Sequence, residues 1–222
     1  NGLFRFSYRN RQGWLDAESK KENSLKRILF VITGALMPEE FFSLMFSLPE
    51  DIQDKALINY LYELGETGAL SQAGEIFENL FQLPGHDTAK ALATWHLMGC
   101  QIRRGDLRSA QKFFTYLERL EQSSDVLTIR AKALFNLVDA LLATQPSAAY
   151  APWEALAKRR LPVHAQWICA RAGLLLFRKY CKNTDLERAS MVYRALQAFD
   201  SPMCRKILVE AKRHFQKQLG EI

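Results

Sequence analysis

At 222 residues, with 48% hydrophobic and 24% charged residues, the chain has the composition of an ordinary folded protein, which excludes a disordered or fibrous chain. Its 11 glycines and 7 prolines are too few for a β-rich fold punctuated by tight turns, and good helix formers dominate instead. The net charge of +6 is unevenly spread: residues 1–30 carry seven basic and three acidic groups, residues 31–100 two and ten, and residues 101–222 twenty-one and eleven. That pattern fits either a charged partner or attraction between the two ends of the protein.

Residues 1–13 alternate Phe4, Phe6 and Tyr8 with Arg5 and Arg9, a spacing that suits a short extended segment or a basic arm without fixed structure. Ser24 can cap a helix whose apolar residues Leu25, Ile28, Leu29 and Ile32 recur at three and four. Pro38 and Pro49 each suit the first turn of a further helix. Between them Phe41, Phe42, Met45 and Phe46 form an apolar face, either core or a docking face.

Four helical hairpins are expected next. The first runs from about Ile52 to Leu83 with a break at Gly65–Gly68, and the second from about Thr88 to Gln122 with a break at Arg104–Asp106. A third spans Asp125 to Leu161 around Gln145-Pro146-Ser147, and a fourth Val163 to Asp200 around Asn183-Thr184-Asp185. A last helix, Met203 to Leu219, is rich in Lys, Arg and Gln and would cap the open end.

Three stretches share one internal spacing. Leu70, Ala73 and Phe77 follow Gly68-Ala69; Leu107, Ala110 and Phe114 follow Gly105-Asp106; Leu186, Ala189 and Tyr193 follow Thr184-Asp185. Each alanine falls three residues after a leucine and four before an aromatic, so the three side chains share a helix face and the methyl lets a partner helix approach closely. With Leu80, Leu117 and Leu196 beyond them, and Pro84 closing the first unit, these stretches resemble the tetratricopeptide repeat family. The first helices depart from its pattern, since Leu61, Met98 and Phe177 stand where the family prefers a small residue, and the third hairpin, with Pro152 and Trp153, lacks the signature.

The expected fold is therefore all-α, an α-α superhelix or solenoid of about four hairpins with N-terminal helices and a C-terminal capping helix. Residues 1–50 would form a basic arm and helices packed on the repeats, and residues 51–222 the repeat domain.

No catalytic, cofactor or metal site is expected. His96 and Cys100 are four apart on one helix, yet zinc needs three or four ligands and no second pair lies nearby. Cys169 and Cys181 lie too far apart along one helix to bond, and His164 is not on the face of Cys169. The glycines of Leu64-Gly65-Glu66-Thr67-Gly68 come with acids and no lysine, unlike a phosphate cradle. The four cysteines read as buried thiols of a reducing compartment. The longest apolar run, Ile28 to Met37, is too short to cross a bilayer. A cytoplasmic protein is expected, with an upstream signal or anchor left open because the chain begins at Asn1.

The function this implies is holding another protein. The resemblance implies a concave groove lined by the first helix of each hairpin. Its register makes Asn59, Tyr62, Trp95, His96, Arg103, Arg171 and Arg178 candidate contacts, joined by Lys132 and Asn136 from the irregular third hairpin. Aromatic and amide groups early and basic groups late suit an acidic, partly apolar peptide. Some family members clamp a terminal carboxylate with lysines and asparagines at particular groove positions; here Ile58 and Tyr62 occupy corresponding places. An adaptor, scaffold or chaperone role competes with nucleic-acid binding through Arg103, Arg104, Arg108, Lys112 and the run Lys158-Arg159-Arg160. A third alternative is the soluble part of a membrane-associated assembly factor, contacting a membrane through the N-terminal arm.

Overall fold

The computed structural model describes residues 50–82 and 84–220, and every regular element within them is helical. The basic arm, the expected helices before Pro49 and the apolar face at Phe41–Phe46 lie outside the described residues. The chain divides between Cys100 and Gln101 into two compact units.

In the first unit, α1 (Glu50–Thr67) pairs with α2 (Leu70–Gln82), and α3 (Asp87–Arg103) follows, its last three residues belonging to the second unit. The core residues Leu57, Tyr60, Leu61 and Leu64 of α1 and Ala73, Ile76, Phe77 and Leu80 of α2 recur at three and four, as two facing helical stripes require. The break anticipated at Gly65–Gly68 falls at the far end of that stretch: α1 runs on to Thr67, and the turn is at Gly68, whose φ of +91° only glycine adopts easily. Packing explains the difference. A Cβ on Gly65 would lie 2.8 Å from Cys100 Sγ, so this glycine serves the close approach of α1 and α3 and not a turn. His86, just before α3, reaches back to Asp54 of α1 through Nδ1 at 2.6 Å.

The second unit contains α4 (Leu107–Tyr116), α5 (Ser124–Thr144), a 3-10 turn at Pro146–Ala149, α6 (Tyr150–Ala157), α7 (Val163–Lys182) and α8 (Leu186–Gln197). A 3-10 turn at Pro202–Cys204 leads into α9 (Arg205–Gly220), so Met203 belongs to the turn and the last α-helix starts two residues later than its composition suggests. Helix α7 is the centre: α5, α6, α8 and α9 all pack against it, while α4 packs on α5 and α8 on α9. Ring contacts seat the last helix, with Phe215 stacked on Tyr193 at 5.6 Å and tilted against Phe177 at 6.0 Å.

Two turns of this unit are built alike. Before α4, Asp106 N–H bonds to Gln101 C=O and Gly105 N–H to Ile102 C=O; before α8, Asp185 N–H bonds to Tyr180 C=O and Thr184 N–H to Cys181 C=O. Both are Schellman closures with a left-handed residue at the centre, Gly105 at φ +79° and Thr184 at φ +58°. Each is followed by an aspartate cap that accepts from the amide three residues on, Ser109 N–H at 3.0 Å and Arg188 N–H at 3.1 Å. The same three residues therefore end one helix and start the next. Ala110 and Ala189, four residues beyond the caps, are fully buried.

One charged residue enters this core. Arg130 of α5 is 0% exposed, pairs through Nη2 with Glu118, donates from Nη1 to Gln122 Oε1 at 3.4 Å and lies over the Phe114 ring. Burial pulls its pKa down, opposed by Glu118, and its Nε has no hydrogen-bond partner among the described residues.

Candidate functional site

Helix α7 is buried around most of its circumference because four helices surround it. Among its outward residues is a stripe at three- and four-residue spacing: His164, Trp167, Arg171, Leu175 and Arg178. Arg171 and Arg178, read as groove residues from the sequence, are thus brought to one face of one helix, both exposed.

The surroundings of Arg171 are aromatic. Its guanidinium lies 4.9 Å from the centroid of Trp167 and 5.1 Å from that of Phe135 on α5, and the Trp167 ring in turn stacks on His164 at 5.7 Å. Cation–π contact at such exposed positions contributes about 0.5–1 kcal/mol per ring. Its larger effect is to fix the direction of the guanidinium. No carboxylate pairs with Arg171 among the described residues. Arg178 differs, being ion-paired with Glu210 of α9, and both members are about half exposed.

Both arginines line a hollow of about 320 Å³, together with Leu174 and Leu175 of α7 and Ile207 of α9. Glu210 borders it and also borders a second, more open hollow of about 540 Å³, where Arg205, Lys206 and Arg213 gather around Val209. One carboxylate thus stands among five cations.

The other residues singled out from the sequence fall into separate groups. In the first unit Tyr62 meets His96 edge to face at 5.2 Å, and Trp95 stacks on His96 at 5.7 Å; this contact partly covers the tryptophan. Asn59 is on α1 one turn before Tyr62, and Arg103 is exposed at the end of α3. In the second unit Lys132 and Asn136 are half-buried, one turn apart on α5, and flank Phe135 without lining the hollow.

Sequence reasoning missed Phe135, Trp167 and Glu210. Trp167 stands one helical turn before Arg171, and Glu210 is the lone acid of an otherwise Lys- and Arg-rich final helix. Both signals were present. Phe135 carried none, because its placement beside Arg171 comes from the packing of α5 on α7.

Cys169, Cys181 and Cys204 are poor nucleophiles. Burial pushes the Cys169 thiol up to about 12, with Cys204 adding to the rise, and burial also raises Cys181 and Cys204. His164, far from reaching Cys169, is exposed and turned to Trp167. Among the described residues no three His, Cys, Asp or Glu side chains gather as metal ligands would, and no helix is long and apolar enough to cross a membrane. No family model, curated protein or solved structure matches the chain.

Proposed function

We propose that this protein is an α-α repeat protein of tetratricopeptide-like type that acts as an adaptor, scaffold or chaperone, taking an acidic and partly apolar segment of another protein against the α5–α7–α9 face. The repeat reading is supported by the matched turns at Gly105 and Thr184 and by the neighbours of α7. Those neighbours are both helices before it, its own partner and the next helix, the order that stacked hairpins require.

The observation that carries the binding reading is Arg171, oriented by two rings and unpaired with any carboxylate among the described residues. A carboxylate can take both N–H groups of that edge, and the hollow beside it accepts one apolar side chain. The test is Arg171→Glu combined with Arg178→Glu, probed with an array of acidic peptides carrying leucine or phenylalanine. Loss of binding with unchanged helicity is expected. Undiminished binding would remove this face from consideration.

A second reading, nucleic-acid binding, draws on the hollow edged by Arg205, Lys206 and Arg213 and on the His164–Trp167 ring pair, which could stack bases. Retention of mixed oligonucleotides that falls steeply with salt would favour it. The reading of a membrane contact through the N-terminal arm concerns segments outside the described residues.

A further inference from the structure

We infer that Glu210 holds Arg178 as an internal stand-in for a partner's carboxylate, and that the segment taken by this groove is acidic and extended, with two carboxylates three residues apart and an apolar side chain between them. This rests on the peptide-binding reading given above and names the chemistry of the occupant.

The spacing follows from α7. Arg171 and Arg178 are seven residues apart on an unbroken helix, which separates them by about 10 Å along its axis and places them on the same side. A segment in polyproline II conformation rises about 3.1 Å per residue and returns to the same edge every third residue, so acids at i and i+3 are about 9 Å apart. A β-strand returns its side chains at two and four residues, about 7 and 13 Å, and fits less well. A helical occupant anchors through several apolar side chains in a row, whereas the neighbouring hollow is edged by Arg205, Lys206 and Arg213. The hollow of about 320 Å³ that both arginines line also has Leu174 and Leu175 in its wall. An apolar residue on the second edge of the extended segment enters it.

The exchange follows from exposure and charge. The Arg178–Glu210 pair leaves its side chains 44% and 40% exposed, so water already reaches both groups and breaking the pair costs little. Glu210 does not become stranded when released, because Arg205, Lys206 and Arg213 border the hollow on its other side. A carboxylate arriving at Arg178 therefore displaces one already there, and Glu210 raises the threshold for weakly acidic segments while a segment with both acids passes it.

The test uses the full chain and two fluorescein-labelled peptides, Pro-Asp-Leu-Pro-Glu-Leu-Pro and a control with the same composition but the two acids adjacent. Wild-type protein, Glu210→Gln and Arg171→Glu are titrated by fluorescence anisotropy, after circular dichroism has shown equal helicity. Expected are tighter binding of the spaced peptide than of the control, about a three- to fivefold further gain in Glu210→Gln, and loss in Arg171→Glu. Equal affinity of wild type and Glu210→Gln, with Arg171→Glu still defective, overturns the stand-in and leaves the groove reading in place. Equal affinity for the two peptides overturns the spacing. A matching gain of Glu210→Gln for a single-stranded oligonucleotide overturns both in favour of general charge attraction. Binding of neither peptide by any variant overturns the inference and the groove reading together.

Discussion

The indole of Trp153 lies directly over Gly173 of α7. A Cβ at Gly173 would stand 2.6 Å from Cζ2 of that ring and 2.9 Å from Leu196 Cδ2, while the indole N–H donates to the Cys169 carbonyl at 2.9 Å, one helical turn earlier. The tryptophan is 0% exposed and cannot swing aside. Gly173→Ala gains helix propensity of somewhat under 1 kcal/mol but forces this contact apart, and a net loss of about 1–2 kcal/mol is expected. In a Trp153→Phe background the loss should shrink, because the smaller ring lacks Cζ2, while the 2.9 Å approach of Leu196 remains. Chemical denaturation of the four proteins of that cycle measures the coupling.

Thr184 carries the left-handed conformation that Gly105 carries in the matching turn. A β-branched residue is strained there by roughly 1–2 kcal/mol, and glycine returns part of that as chain entropy on unfolding. Thr184→Gly is therefore expected to stabilise the protein by up to about 1 kcal/mol, with Gly105→Thr shifting the melting temperature the other way. A fall in melting temperature for Thr184→Gly would contradict the turn geometry.

Arg130 and Glu118 are unequal partners, the arginine fully buried and the glutamate side chain 41% exposed. Removing the acid strands a cation in the core, whereas removing the arginine leaves an acid that water can reach. Glu118→Ala should thus cost about 2–3 kcal/mol and Arg130→Met clearly less, despite the larger change in the core. Urea denaturation midpoints of the two variants decide the order.

The Cys169 thiol stays protonated in the folded protein up to about 12, whereas its ordinary value is 9.0. A group raised on folding contributes stability below its unfolded pKa and loses it as pH climbs towards the folded one. Stability is accordingly expected to decline between pH 9 and about 12, and Tyr150, also raised to about 12 from 10.0, adds to the decline above pH 10. Cys169→Ala should show a shallower alkaline fall in urea midpoint. At neutral pH an aromatic disulfide reagent should modify Cys169 only once the protein unfolds.

How much of this was legible in the sequence differs from residue to residue. The turns at Arg104–Asp106 and Asn183–Asp185 could be read because the chemistry of a helix end is local: a left-handed residue, a capping acid and an apolar residue in order. Ala110 and Ala189 were legible for the same reason, through their spacing from Leu and an aromatic. Gly173 and Gly65 were not, since a glycine inside a helix states only that something comes near. The ring over Gly173 is twenty residues away in sequence and the sulfur near Gly65 thirty-five. Arg130 would pass for a solvated residue by its neighbours in the chain. In the site, Arg171 and Arg178 could be placed by helical periodicity, while the Glu210 pairing depends on how α9 lies against α7.

The aromatic trio of Phe177, Tyr193 and Phe215 bears on where the second unit can be cut. A chain stopped before Arg205 would bare Phe177 and Tyr193, together with the flank of α7 that α9 shields. Truncation at that point should yield an aggregating product and not a shortened but soluble one. Helix α9 is then a structural keystone of the second unit.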